Sequence, residues 1–419
     1  MSDRMEFEIV CPNDHNQTVT FSQEAFEEEL KSGALVHHCN TCDTDWPPSS
    51  EEIARIRKLF SKNSSSARGR RIVVLPLIGT VSVIANGGLV VLALALTHTR
   101  PPDKVPLSVA GHRRPGTWSG QLRLMTWNLG YAGMGEEASF FLDGGRDVLA
   151  KDRSTVLHHL GKICAVLHQY PQDVYLLQEV DSGSRRSYNV NEVEWITRGF
   201  GESCYAYALN FDVLFLPYPL TRPMGRVRSG LLSLAARQPV EAVRLQLPGS
   251  FTWPTSAFNL DRCLLLLSLP REDRKTWVVI NVHLEAWDAQ GGLKRQELAF
   301  LKSLALEKYN EGNYVIVGGD WNSVLPGVRI DQFPSRDKPS QYYQPLPDDF
   351  TPGGWTWGVV ATRPGNRQGN SRYQPGITYV SVIDGFLVSP NVKIQSVSTL
   401  PLDFKDSDHE PVMLQIAGR

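Results

Sequence analysis

Short apolar runs in this chain repeatedly end on a side chain that can hold a metal ion or a phosphate. Leu122–Trp127 ends at Asn128, Asp173–Gln178 at Glu179, Trp277–Val282 at His283, and Tyr314–Gly319 at Asp320 with Asn322 just beyond. Val382 and Ile383 lead to Asp384, and Asp408-His409 precedes a final apolar run, Pro411–Ile416. Carboxylates and amide oxygens suit hard divalent cations, and imidazoles move protons or donate to anionic oxygens. Taken singly each motif is ordinary: an acid after a strand opens a loop, and a lone histidine is a satisfied edge residue. Gly319-Asp-Trp-Asn322 says most on its own; the recurrence carries the argument.

A second set lies near the N-terminus. Cys39-Asn-Thr-Cys42 is a CxxC pair, and Cys11 stands upstream in Cys11-Pro-Asn-Asp14-His15. Two knuckles separated by a short insert are the usual layout of a tetrahedral zinc site. The first knuckle departs from it, with Asp14 where a second cysteine would stand. The fourth ligand is open among Asp14, His15, His37 and His38; His15 is the one set with Cys11, Cys39 and Cys42. The alternative is three reduced thiols with no metal. A module this small has little core, so structural Zn2+ would help it fold. Cys164, Cys204 and Cys263 are scattered and read as buried apolar fillers.

The elements that must position these residues are strands and a few helices. Side chains at strand ends converge on one edge of a sheet packing, where a rigid frame holds a site. Helical stretches are expected at Thr155–His168 and Leu293–Leu306. Nearer the N-terminus, Ser22 is placed to cap a helix through Phe26 and Leu30 to Gly33, and Ser49 with Glu52 forms a capping box.

Ile72–Leu96 is an uncharged apolar run, about 37 Å long as a helix at ~1.5 Å per residue and enough to cross a hydrocarbon core. Pro76, Gly79, Gly87 and Gly88 weaken it, but membrane helices tolerate such residues. Arg55, Arg57, Lys58, Lys62, Arg68, Arg70 and Arg71 precede it, against Arg100, Lys104, Arg113 and Arg114 after it. The positive-inside bias then implies a single-pass membrane protein, N-terminus cytoplasmic and C-terminal part extracytoplasmic. The expected organisation is a zinc-ribbon-like module with helix over 1–62, a basic linker over 63–71 and a transmembrane helix over 72–96. A linker over 97–120 and a catalytic domain over 121–419 follow. The net charge of −1 over 419 residues gives no global pull toward nucleic acid.

The ordered set TWN, LQE, NVHL, GDWN, IDGF and SDH, from Gln121 to the C-terminus, resembles the endonuclease/exonuclease/phosphatase superfamily. That superfamily includes deoxyribonuclease I-like nucleases, sphingomyelinases and inositol polyphosphate 5-phosphatases. The resemblance implies an α/β fold, a four-layer sandwich of two packed mixed β-sheets flanked by helices. It implies Mg2+ (or Mn2+) on Glu179, with Asn128 and Asp408 completing or supporting the shell. Asp320 would orient or deprotonate the attacking water, and Asn322 would bind a phosphoryl oxygen. His409 would contact the scissile phosphate with Asp384 fixing its tautomer, and His283 would add a further donor. Two positions depart from the family's pattern: Trp321 stands where Phe is frequent, and Gly385 where a bulkier residue is common. Arg262 fits a supporting position, while Arg185, Arg186 and Arg222 read as solvated surface.

The function implied is hydrolysis of a phosphoester, lipid-linked or soluble. Nuclease action is the alternative and would require a basic groove; a membrane-tethered binding protein without catalysis is the third. The partners expected are the substrate and, through 72–96, the membrane; no protein partner is expected.

Overall fold

The computed structural model describes residues 4–65, 88, 89, 92, 100–112, 116–249, 251, 252, 255–288 and 291–419. They form two compact units, Met1–Gly87 and Gly88–Arg419.

In the first unit, alternation makes the leading strand: Phe7 and Ile9 are buried while Glu6 and Glu8 face solvent. This strand, β1 (Arg4–Val10), pairs antiparallel with β2 (Asn16–Ser22). Ser22 caps α1 (Gln23–Ser32) by accepting from the Ala25 N–H at 3.2 Å, and Gly33 ends it at φ 70°. The short pair β3 (His37–Cys39) and β4 (Thr44–Trp46) follows. Ser49 and Glu52 then close a reciprocal box (2.8 and 3.2 Å) ahead of α2 (Ser50–Ser65). Phe7, Phe26, Leu35, Ile56 and Phe60 make the small core.

The second unit begins with the edge strands β5 (Lys104–Pro106) and β6 (Ala110–Gly111), then β7 (Gln121–Asn128), α3 (Arg153–Gln169) and β8 (Val174–Asp181). Next come α4 (Glu192–Gly199), β9 (Cys204–Leu216), β10 (Gly225–Ala235), β11 (Glu241–Gln246), β12 (Cys263–Pro270) and β13 (Thr276–His283). After α5 (Gly292–Asn310) follow β14 (Tyr314–Asp320), β15 (Thr356–Gly358), β16 (Asn366–Arg367), β17 (Val380–Ser381), β18 (Asp384–Val388), β19 (Val392–Thr399) and β20 (Val412–Gly418). Two seven-stranded sheets result, ordered β19-β20-β7-β8-β10-β9-β6 and β15-β18-β14-β13-β12-β11-β5. Both are mixed: β7 and β8 are parallel, as are β13 and β14, and the remaining neighbours are antiparallel wherever they pair. The parallel pairs are joined through α3 and α5, so each sheet carries one βαβ unit at its centre.

Leu122, Leu124, Val174 and Leu176 of one sheet meet Leu265, Leu267, Val279, Ile316 and Phe386 of the other in the central core. On the outer faces, α3 lays Val156, Leu160 and Ile163 against Trp127 and Leu177, and α5 lays Leu298 and Leu301 against Val278 and Val315. The layers therefore run helix, sheet, sheet, helix. Beneath the strand ends the apolar core gives way to a polar clamp. Gln178 Nε2 donates to Asn281 Oδ1 at 2.7 Å across the sheets, and Asn281 Nδ2 donates to the Leu177 carbonyl and to Ser233 Oγ, each at 3.2 Å. The chain passes between sheets at 107–109, at 236–240 and at 389–391.

Two expectations change. The stretch 97–120, read as a linker, supplies edge strands to both sheets: β5 pairs with β11 and β6 with β9. Edge strands this short need only backbone pairing, so no apolar alternation announces them. The single-pass topology, with a cytoplasmic N-terminus and an extracytoplasmic catalytic domain, is also corrected. No helix among the described residues is long and apolar enough to cross a membrane. The longest of them, α5, carries Lys294, Arg295, Glu297, Lys302, Glu307 and Lys308, which hydrocarbon would not accept. The transmembrane helix read over 72–96 lies outside the described residues apart from Gly88, Leu89 and Leu92, as does 66–71 of the basic linker.

Candidate active site

The inward-facing alternation of the central strands delivers the polar residues to one place. On β7, Leu122 and Leu124 face the other sheet, so Asn128 continues that side past Thr126. On β14, Tyr314 and Ile316 set the same face for Asp320, and on β13 Trp277 and Val279 set it for Asn281 and His283. Asp384 opens β18 opposite Asp320 in register. Gly319 lets β14 lie against β13 on its other side: at φ 153° a Cβ would lie 2.0 Å from the Val282 carbonyl oxygen.

Glu179 breaks the pattern. Val180 pairs with Gly230 and Leu177 with Leu232, so Gln178 and Glu179 together oppose Leu231 as a β-bulge. Glu179 takes φ +53° there, a left-handed conformation that costs a non-glycine residue about 1 kcal/mol. The bulge puts successive residues on the working side: Gln178 in the clamp and Glu179 in the site.

Asp320 is the hub. Its Oδ2 accepts from Asn128 Nδ2 at 2.9 Å and lies 3.5 Å from His283 Nε2 and 3.8 Å from His409 Nε2; its Oδ1 accepts from the Asn322 N–H at 2.9 Å. Burial works against its charge, but His409, His283 and the Asn128 and Asn322 hydrogen bonds outweigh that and hold the carboxyl below its ordinary range. His409 Nδ1 bonds Asp384 Oδ2 at 2.7 Å. Burial disfavours the charged ring, yet Asp384, Asp320 and Asp408 push its pKa up to about 10. Burial, with Arg262 beside it, drives His283 down to about 3. At neutral pH the two histidines thus differ, His409 cationic and His283 neutral. Ser407 fixes the corner, donating to the Asn128 carbonyl at 2.7 Å and accepting from the His409 N–H at 3.1 Å.

Asn128 Nδ2 also reaches Glu179 Oε1 at 3.3 Å, and its Oδ1 accepts from the Gly130 N–H at 3.0 Å. A Cβ on Gly130 would sit 2.7 Å from Asp408 Oδ1, a buried oxygen with no hydrogen-bond partner. The Asp408 carboxylate is near enough to Glu179 to act on its charge. Burial raises the Glu179 pKa and Asp408 adds to the rise, although Arg186 opposes it. An orphaned carboxylate oxygen beside a second carboxylate is a donor set that fits a hard divalent cation. Asp320, Asp384 and His409 also bring ligand atoms within 4.8 Å of one another. There, however, His409 is already bonded to Asp384 and ion-paired with Asp320, so the trio is a charge-coupled set in which the imidazolium sits between two carboxylates. Asn322 lines the cavity, with its amide nitrogen donated to the Leu284 carbonyl at 2.8 Å.

In the N-terminal unit, Cys11, His15, Cys39 and Cys42 bring one ligand atom each within 4.8 Å of one another. Cys11 Sγ is 3.8 Å from Cys42 Sγ and 3.5 Å from His15 Nδ1. A tetrahedron with Zn–S arms of ~2.3 Å has edges of about 3.8 Å. Hydrogen bonds from Thr44 and Asn13 lower the Cys42 thiol to about 6. Among the alternatives, His38 pairs with Asp45 at 2.8 Å and His37 packs edge-on against Trp46.

Two residues escaped the sequence, Arg186 and Asn366. Arg186, read as solvated surface, is buried: it binds Asp181, lies 3.5 Å from Glu179 Oε2 and stacks on Tyr131 at 4.0 Å. Arg262 pairs with Glu285 at 3.5 Å and donates to the His283 carbonyl at 3.3 Å. The Asn366 amide touches His409 Nε2 at 3.0 Å and is held by the Tyr343 hydroxyl at 2.5 Å. Nothing in the local sequence marks Asn366, whereas Gln178 and Asn281 are legible as polar residues at inward positions of apolar strands. The two departures from the family's pattern touch: Trp321 Nε1 donates to the Gly385 carbonyl at 3.1 Å.

Glu179, His283, Asp320, Asn322, Asp408 and His409 open into one cavity of about 560 Å3. The endonuclease/exonuclease/phosphatase family matches residues 125–409, and no curated protein matches the chain. Among solved structures, an endonuclease/exonuclease/phosphatase from Beutenbergia cavernae DSM 12333 is 16% identical, with 71% of this chain and 72% of that one covered and a TM-score of 0.45. The corresponding protein from Bacteroides vulgatus is 14% identical over 71% of this chain and 99% of its own, at 0.44. The human Nocturnin catalytic domain, with bound sulfate, is 16% identical over 75% and 98%, also at 0.44.

Proposed function

The chain belongs to the endonuclease/exonuclease/phosphatase family, and from that premise we propose that Glu179 and Asp408, supported by Asn128, hold Mg2+ (or Mn2+) beside Asp320. It is a metal-dependent phosphoester hydrolase. The cation, when bound, neutralises phosphoryl oxygens and favours attack by water. Asp320, kept ionised by its neighbours, orients that water and takes its proton. His409 donates from Nε2 to the scissile phosphate while Asp384 fixes its other nitrogen. His283, neutral, presents Nε2 as a second donor, and Asn322 holds the Asp320 loop and faces a phosphoryl oxygen.

The observation that carries this reading is the single Asp320 oxygen approached by Asn128, His283 and His409, with His409 locked to Asp384 at 2.7 Å. An amide donor, a neutral imidazole and a cationic imidazole surround one ionised acceptor. The test is turnover of bis-p-nitrophenyl phosphate by the chelator-stripped full chain with and without added Mg2+ or Mn2+. Metal restores turnover, and Asp320→Asn lowers kcat by about 10²-fold or more with an unchanged circular dichroism spectrum. Turnover that ignores the metal, or survives in the variant, rejects the proposal.

For the N-terminal unit, the edge lengths among Cys11, His15, Cys39 and Cys42 support a structural Zn2+.

A further inference from the structure

The catalytic cavity continues away from Asp320 along a wall of side chains that phosphate chemistry does not need. Tyr218, Phe141, Phe140, Trp287 and Tyr342 line it as a chain of ring contacts, with successive centroids 5.5, 5.0, 6.2 and 5.0 Å apart. Leu142, Leu216, Met224 and Leu260 extend the same apolar lining. Two of the lining side chains reach the surface, Leu142 at 40% and Tyr218 at 55% exposure. Exposed apolar side chains gathered at the mouth of an apolar cavity mark a surface that meets an apolar ligand.

Charge excludes the other common occupant. A nucleic acid needs cations free to track its phosphates. The positive charges lining the cavity are Arg186, Arg262, Arg367 and His409, the last tied to Asp384. Arg186 is held by Asp181, Arg262 by Glu285, and Arg367 donates to the Met134, Gly135 and Ala138 carbonyls. No lysine lines the cavity among the described residues. Asn210 also lines the cavity, with a buried amide nitrogen that has no hydrogen-bond partner and can donate to a polar group of the substrate.

We infer that the substrate is a phosphoester carrying a long hydrocarbon substituent, acyl or prenyl, which lies along the Tyr218–Tyr342 wall while its phosphate sits at Asp320. This rests on the hydrolase reading above.

The full chain with Mg2+ is assayed on p-nitrophenyl methyl, butyl and octyl phosphates. Each buried methylene adds about fourfold to kcat/KM (~0.8 kcal/mol), so octyl exceeds butyl by at least about tenfold even if only part of the chain is covered. Phe141→Asn and, on the rim where folding is not at risk, Leu142→Ser flatten the series while turnover of the methyl ester stays within twofold. No turnover of any ester would reject the hydrolase reading itself. Turnover with a flat series in the parent chain overturns the inference, as does preferred cleavage of a single-stranded oligonucleotide. Mixed micelles of a diacyl phospholipid and of a prenyl phosphate separate the two sources: cleavage of one identifies it, and cleavage of neither overturns the inference.

Discussion

Glu179 holds a conformation its residue type disfavours, at the position where its carboxylate enters the proposed metal site. At φ +53° inside a bulge it bears backbone strain, and Asp408 beside it raises its pKa further. Glu179→Gly relieves both and removes the proposed metal ligand. In chelator, the thermal midpoint of the catalytic unit then rises by about 2 °C, for about 1 kcal/mol of relieved strain. In Mg2+ the parent is stabilised and the variant is not, and turnover is lost. A variant midpoint at or below the parent's in chelator contradicts the strain account. The identity of Glu179 as a candidate was legible because it ends an apolar strand, but its left-handed backbone was not. Nothing in Leu-Gln-Glu distinguishes a regular strand end from a bulge, since the bulge is set by the register with β10. Arg186 was misread for a related reason: a loop arginine has no periodicity, and its burial follows from Asp181 and Tyr131 closing on it.

At the scale of elements, long patterned segments were readable. The helical stretches at Thr155–His168 and Leu293–Leu306 fall within α3 and α5, and the Ser49–Glu52 box heads α2. The strands β5, β6, β16 and β17 were not readable, because two or three residues paired through backbone alone leave no sequence pattern. Helix α5 also carries a buried acid. Glu297 accepts from the Glu285 N–H at 2.7 Å, and burial, reinforced by Glu285 against the pull of Arg262 and Lys294, raises its pKa to about 8. The folded chain therefore holds this proton more tightly than the unfolded chain, where the carboxyl titrates near 4.5. Its contribution to stability is complete below that value and is lost as pH climbs toward about 8, with a slope of at most ~1.4 kcal/mol per pH unit. Glu297→Gln keeps the acceptor without the proton, so denaturant midpoints for the variant fall less between pH 5 and 8. Parallel midpoint curves for the two proteins would show that Glu297 is not the group responsible.

For the whole molecule, composition was a poor guide to the site. A net charge of −1 says nothing of the arginines, which are engaged internally around the cavity. Hydropathy over 72–96 suggested a spanning helix, but that run lies outside the described residues apart from Gly88, Leu89 and Leu92, and no described helix is long and apolar enough to span a membrane. The two units also make separable predictions. Cys42→Ser eliminates zinc detected by native mass spectrometry and lowers the stability of the N-terminal unit, followed by hydrogen exchange of peptides from residues 4–65. Metal-stimulated turnover of a small ester remains unchanged; a parent chain with no zinc, or a variant that loses turnover, refutes that separation. The passages between sheets at 107–109, 236–240 and 389–391 carry one last consequence. An early segment closes the edge of the sheet built mostly by the later half of the chain, and the final two strands return to the sheet built mostly by the earlier half. The sandwich is clasped at both ends, and the seam holding Asn128, Glu179, His283 and Asp320 cannot gape by letting one layer drift from the other. Separating the two layers at this seam requires both clasps to open together.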